Sequence, residues 1–243
     1  HGYKGFKDWG PWNAVSKRFS DAGFDFLKFN FSHNGGTVEN PIDFPDLEAF
    51  AENTYSKELE DLDRIIKRAA KGFEVNGEKR TYEKFHLIGH SRGGGIAILH
   101  ASRHPEIEKL VTWAAVSDFA DRFNFHMDKW KEEGVTYIRN SRTDQMMPHN
   151  YTYYTDFVAN RDLLDIPEAA RQVNQPWLIA HGEKDEAVCI SNADYLKSQN
   201  PNSELLILSK TGHTFGARHP WDELHLPEKL DQLVQRTIKF LQV

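Results

Sequence analysis

The sequence predicts an α/β fold, a mostly parallel central sheet with helices on both faces. Three observations predict it. Short apolar runs alternate with amphipathic helical patterns along the chain, which implies parallel strands joined by helical crossovers. A glycine-rich turn, Gly89 to Gly94, sits between an apolar run and a helical one. The 243 residues, 39% of them hydrophobic, are enough to bury the core of one large α/β domain, taken here as residues 1–243.

Taken in order, Trp12, Val15 and Phe19 have helical spacing over 12–21, and Gly23 ends that helix. Phe24 to Phe29 alternates aromatic and polar residues and reads as a strand. A polar loop from Asn30 to about Asn53 follows. Leu59, Leu62, Ile65, Ile66 and Ala69 mark an amphipathic helix with Ser56 as its expected cap, ending near Gly72. Phe85 to Ile88 reads as a buried strand, and a helix begins at Ile96. Leu110 to Val116, Trp177 to Ala180 and Leu205 to Leu208 bring the expected strands to five, and 227–241 closes the chain as an amphipathic helix. Residues 118–172 break the alternation. They are rich in aromatics and charges, and an insertion after a sheet strand, a lid over the ligand-binding end, is the natural expectation.

Composition narrows the function classes. The net charge of −6 is spread along the chain with no basic run to follow a phosphate backbone, so nucleic acid is not an expected partner. Cys189 is the only cysteine, which rules out an internal disulfide framework and a Cys-rich metal site, and fits a reducing compartment such as the cytoplasm. No apolar stretch approaches the roughly 20 residues that would cross a bilayer. The chain opens at His1 without Met or a signal-peptide pattern, and an upstream segment is expected.

Gly89-His90-Ser91-Arg92-Gly93 has the G-x-S-x-G pattern in the context the pattern demands, strand before and helix after. A serine on that sharp turn projects its hydroxyl from the sheet, and the helix aims its amino terminus at the same point, favouring negative charge there. A serine hydroxyl is a weak nucleophile and needs a base with an orienting acid. Both follow in the required order: Asp185 in the loop after the strand ending near Ala180, and His213 in the loop after the strand ending near Leu208. A glycine-rich turn, a loop carboxylate and one of twelve histidines each have an ordinary structural explanation. Three residue types in order, each just past a separate strand, are hard to obtain by accident.

Rivals exist. Asp118 follows the strand after the turn and is the alternative acid, with Glu183 and Glu186 beside Asp185. His181, His219 and His225 compete with His213, and His90 is expected to pack beside the serine. One oxyanion donor would be the Arg92 N–H; the other would come from a loop after an early strand, for which His1-Gly2-Tyr3 offers the Tyr3 N–H. Met146, Met147 and Tyr151 are the candidate substrate contacts in the insertion. No His/Asp/Glu grouping is read as having the i, i+4 spacing of a helical zinc site with a third ligand, so neither a metal nor a cofactor is predicted.

These motifs resemble those of bacterial serine α/β-hydrolases of the dienelactone-hydrolase-like and prolyl-oligopeptidase-like branch, and are also similar to cinnamoyl and feruloyl esterases. The resemblance rests on His1 to Phe6, Gly89 to Gly94, Gly182 to Val188 and Gly212 to Phe215, and spans essentially the whole chain. It implies the α/β-hydrolase fold, a Ser91, Asp185, His213 triad, no cofactor, and a small-molecule ester as partner. It also implies further strands ahead of His1. Dienelactone hydrolases proper carry cysteine where this chain has Ser91. The expected activity is carboxylic ester hydrolysis through an acyl-enzyme, on esters with aromatic or short acyl groups. The alternatives are a peptidase or thioesterase using the same triad, and a non-catalytic binding protein on the same scaffold.

Overall fold

Nearly continuous burial along the central strands decides the architecture, because each such strand faces a core on both sides. The computed structural model describes residues 1–75, 77–123 and 125–243. Helix α1 (Trp12–Asp21) buries Val15 and Phe19. Then come α2 (Leu47–Ala51), α3 (Tyr55–Lys71), the hairpin β1 (Phe73–Val75) and β2 (Glu78–Arg80), β3 (Phe85–His90), α4 (Arg92–Ala101) and β4 (Ile107–Trp113). An excursion carries α5 (Met127–Glu133), β5 (Val135–Arg139), β6 (Met146–Asn150), α6 (Thr152–Ala159) and α7 (Ile166–Gln172). The chain ends with β7 (Trp177–Gly182), α8 (Ser191–Gln199), β8 (Glu204–Leu208) and α9 (Glu228–Gln242).

The central sheet is parallel, in the order β3-β4-β7-β8. Leu110 and Ile179 face a core completed by Leu62 and Ile66 of α3, Ile96 and Leu99 of α4, and Leu196 of α8. Val111, Trp113, Leu178 and Ala180 face the opposite core, with Val15 and Phe19 of α1 and Leu230, Leu233 and Val234 of α9. The mixed α/β class is as the sequence predicts.

Several local expectations need correction. Four strands pair in the central sheet, not five: Phe24 to Phe29 forms no ladder. An apolar gap of about 120 Å³ lies between this segment and β3, lined by Val15, Phe26, Phe29, Ile88 and Trp113. Strand pairing needs backbones about 4.8 Å apart, and this segment is not hydrogen-bonded to β3. The strand expected over 110–116 begins and ends three residues earlier, since Ala114, at φ 51°, turns the chain out of the sheet. The cap of α3 is Thr54, whose extended backbone (φ −140°, ψ 163°) lets its hydroxyl accept from the Lys57 N–H. Ser56 lies inside the first turn and donates to Asp156 Oδ1 at 2.5 Å instead. The loop expected over 30–53 contains α2, capped by Asp46.

Within the excursion, β5 and β6 form an antiparallel hairpin. Aromatic contacts bind it to the body: Tyr55 of α3 lies 4.8 Å from Tyr153 of α6, ring to ring, and stacks on Phe119 at 3.7 Å. Met147 of β6 is buried with Phe6, Phe44 and Phe50. Among the described residues no helix is long and apolar enough to cross a membrane.

Candidate active site

The turn between β3 and α4 is set by close backbone approach. A methyl group on Gly89 would lie 2.4 Å from the Gly93 carbonyl oxygen, and one on Gly94 would lie 2.5 Å from Ala115 Cβ. Only hydrogen fits at either place. Between them Ser91 adopts φ 56°, ψ −122°, a backbone state that costs a non-glycine residue about 1–3 kcal/mol. Three backbone hydrogen bonds hold it there: Ser91 N–H donates to Trp113 O at 2.9 Å, and the Ser91 carbonyl accepts from Gly94 (2.9 Å) and Val116 (3.3 Å). Ser91 is the N-terminal cap residue of α4, so the unpaired amides of the first turn face the space around its side chain.

Asp185 and His213 meet at the carboxyl ends of the sheet strands. His213 Nδ1 lies 2.8 Å from Asp185 Oδ2. The other carboxylate oxygen accepts from the Ala187 and Val188 amides, each at 2.9 Å. Buried His181, four residues before the acid, places Nε2 3.3 Å from Asp185 Oδ2 and 2.9 Å from the Val188 carbonyl. Burial pushes the Asp185 pKa up, but hydrogen bonds from His181, His213 and the Val188 amide outweigh it and hold the carboxyl below the usual carboxylate range. An ionised Asp185 accepts, so His213 Nδ1 carries a proton and Nε2 is the nitrogen left to act as base.

His213 reaches the serine turn through its neighbour. His90 Nε2 lies 2.9 Å from the His213 carbonyl, and the two rings are 4.8 Å apart. Burial, with the adjacent His213 second, pushes the His90 pKa down to about 3. The His90 ring is therefore neutral, and with a carbonyl as partner its Nε2 is the donor. No hydrogen bond joins Ser91 Oγ to the His213 ring in this structure. The contact between the turn and the histidine loop is made by His90.

The opening loop packs directly on the serine: a methyl group on Gly2 would lie 2.8 Å from Ser91 Cβ. Tyr3 follows at once, its hydroxyl 2.7 Å from His149 Nε2 in the β5–β6 hairpin. The Arg92 guanidinium sits 5.1 Å from the Tyr3 ring centre and pairs with Glu58 Oε1 at 2.5 Å. Glu58 is fully buried, and burial raises its pKa against the opposing pull of Arg92.

The remaining sequence candidates are dispersed. Met147 is 0% exposed and has no surface left for a ligand, while its neighbour Met146 is 51% exposed on the other face of β6. The strand's alternation forces that split. Tyr151 packs edge-on against Trp130 at 5.4 Å. Asp118 lies just before a single 3₁₀ turn (Ala120–Arg122) and accepts from the Ala120 amide at 2.8 Å. Glu183 accepts from the Lys210 amide, His219 accepts from Gly10, and His225 is exposed. Sequence reading missed Glu58 and His149. Glu58 had a signal, since it falls on the buried stripe Tyr55, Glu58, Leu62, Ile66, Ala69, where an unpaired charge is out of place. His149 had none.

No protein-family model matches the chain. Two curated relatives are similar to it: the hydrolase YugF of Bacillus subtilis, 27% identical over 166 residues (55% of this chain, 60% of the relative), and the rat monoacylglycerol lipase ABHD6, from Rattus norvegicus, 24% identical over 207 residues (70% of this chain, 61% of the relative). The chain thus spans about three fifths of the length of these relatives. Among solved structures it is similar to Est1E of Butyrivibrio proteoclasticus with ferulic acid bound, at a TM-score of 0.69 and 18% identity, covering 100% of this chain and 86% of that one. With the sheet order above, the structural likeness shows the α/β-hydrolase fold. It does not single out the dienelactone-hydrolase-like branch.

Proposed function

We propose that this chain is a carboxylic ester hydrolase in which Ser91 is the nucleophile, His213 the general base and Asp185 the residue that orients it. The observation that carries the reading is the 2.8 Å Asp185–His213 hydrogen bond beside a serine held at φ 56° on a strand-to-helix turn. In the first step Ser91 Oγ attacks the ester carbonyl while His213 Nε2 takes its proton. The tetrahedral oxyanion is met by the Arg92 and Tyr3 N–H groups, each worth about 10²–10³ in turnover. Collapse expels the alcohol, which takes the proton from the imidazolium and leaves an acyl-Ser91. Water then attacks the acyl-enzyme with the same base and releases the acid.

Residues 118–172 serve in this reading as a lid, with exposed Met146 and half-buried Tyr151 the candidate contacts for the acyl group. An ester substrate is in keeping with the similar proteins, one called a monoacylglycerol lipase and one holding ferulic acid. Aromatic and short acyl esters are the proposed substrates.

Hydrolysis of nitrophenyl acetate, nitrophenyl butyrate and methyl ferulate by wild type and Ser91→Ala tests the proposal. The variant should lose at least about 10³-fold in kcat/KM, and a fluorophosphonate probe should label wild type at Ser91 only. Equal hydrolysis by both proteins ends the proposal. Faster turnover of an aminoacyl amide or an acyl-CoA than of any ester would keep the triad and replace the substrate.

A further inference from the structure

We propose that Asp63, His100 and His104 form a binding site for a divalent transition metal of zinc type, on the flank where α3 passes the C-terminal end of α4. This site is independent of the ester-hydrolase reading, and roughly 13 Å of helix separates His100 from Ser91.

Among the described residues these three make the one grouping of His, Cys, Asp or Glu side chains whose ligand atoms all lie within 4.8 Å of one another. His100 is in the last turn of α4, and His104 follows two residues beyond its cap, Ser102. The four-residue spacing brings the imidazoles into a stack 3.8 Å apart at 11°. Asp63 enters from α3, on the far side of a surface pocket of about 240 Å³ that all three side chains line. The sequence expectation of no metal rested on finding no helical His pair with a third ligand, yet His100 and His104 do stand four residues apart. Here the third ligand, Asp63, comes from a different helix far earlier in the chain and is supplied by the packing of α3 on α4.

The independent sign of a ligand is His100 itself. It is 1% exposed, and neither Nδ1 nor Nε2 has a hydrogen-bond partner. Leaving a buried polar atom unmet costs about 1–3 kcal/mol, so an imidazole placed this way against a pocket is poised for something the pocket admits. His104 is already oriented: its Nδ1 lies 3.0 Å from Glu106 Oε1, which assigns the proton to Nδ1 and leaves the Nε2 lone pair free. A carboxylate behind a ligating histidine raises its basicity and sets its tautomer.

Two imidazoles and one carboxylate suit zinc better than calcium or magnesium, which prefer all-oxygen sets. Tetrahedral zinc, with ligands at about 2.0–2.2 Å, brings ligand atoms to about 3.3–3.6 Å apart, a closure that small side-chain rotations supply. Water takes the fourth position. Lys67 Nζ contacts Asp63 Oδ2 at 2.6 Å, but its side chain is largely exposed and free to move off the carboxylate. Arg103 is committed to the Leu99 and Leu163 carbonyls. The metal would join α3 to α4 at one end, while Glu58 and Arg92 join the same helices at the other.

Chelator-stripped protein titrated with zinc against a chromophoric chelator tests the site. Wild type should bind one zinc per chain, and His104→Gln and Asp63→Asn should each weaken that binding at least about tenfold, whereas His225→Gln, at an exposed histidine outside the site, should not. Zinc should raise the wild-type Tm and leave that of His104→Gln unchanged. Failure of wild type to compete with the chelator overturns the proposal, as does binding that survives both ligand substitutions.

Discussion

Ser91 is a strained residue whose strain is spread over its neighbours. Its positive φ is tolerated because three backbone hydrogen bonds and two glycine contacts leave the turn no other path. The order of the chemistry is set by Asp185. Its carboxylate receives two backbone amides and two histidines, and a group so satisfied when charged stays charged far below neutral pH. In the proposed relay Asp185→Asn keeps the size but presents an amide N–H or a weaker acceptor to His213, releasing the Nδ1–H tautomer. We expect kcat/KM for nitrophenyl esters to fall by about 10⁴ with the fold intact by circular dichroism. A loss under tenfold, with a large loss in Asp118→Asn, would move the acid to Asp118. Neither the ring contact of His90 with His213 nor the partnering of Tyr3 by His149 was legible in the sequence, because nothing local marks which of twelve histidines will meet.

At the scale of elements, α3 and α4 act as a pair. Helix α4 carries the serine turn and is buried along its whole length, and α3 covers it with an apolar stripe interrupted by Glu58. That interruption meets Arg92, the first residue of α4, in a buried ion pair. Replacing such a pair with apolar residues is often harmless, but removing one partner leaves a buried charge alone. Glu58→Ala should therefore destabilise the protein by about 3–5 kcal/mol, read from urea unfolding. A change below about 1 kcal/mol would mean that water reaches Arg92. Helix α1 has the bounds its apolar spacing and Gly23 predict, since both signals are local. The hairpins β1–β2 and β5–β6 were not visible, and Phe24 to Phe29 was misread, for the same reason: a strand exists only when a neighbour pairs with it.

Across the whole molecule, two buried histidines near the serine couple stability to pH. Burial pushes His90 down to about 3, and burial together with Arg92 and Lys4 does the same to His149. Both rings are neutral in the fold, whereas in the unfolded chain they protonate near 6.5. The unfolded state thus binds more protons between those values, and stability falls as pH drops from about 6.5 towards 3. Thermal melts should show Tm constant above pH 7 and declining steadily between pH 6.5 and 4, with a shallower decline in His149→Phe; a flat profile would contradict the neutral assignment. By itself the sequence determined the fold class, the strained serine turn and the chain order of serine, acid and histidine, because backbone sterics, apolar periodicity and turn chemistry act over a few residues. Only the tertiary structure decided which carboxylate meets which imidazole, which methionine is buried, and that Asp63 faces His100 and His104. Those outcomes depend on how helices and strands distant in the chain pack together, and no local pattern encodes that packing.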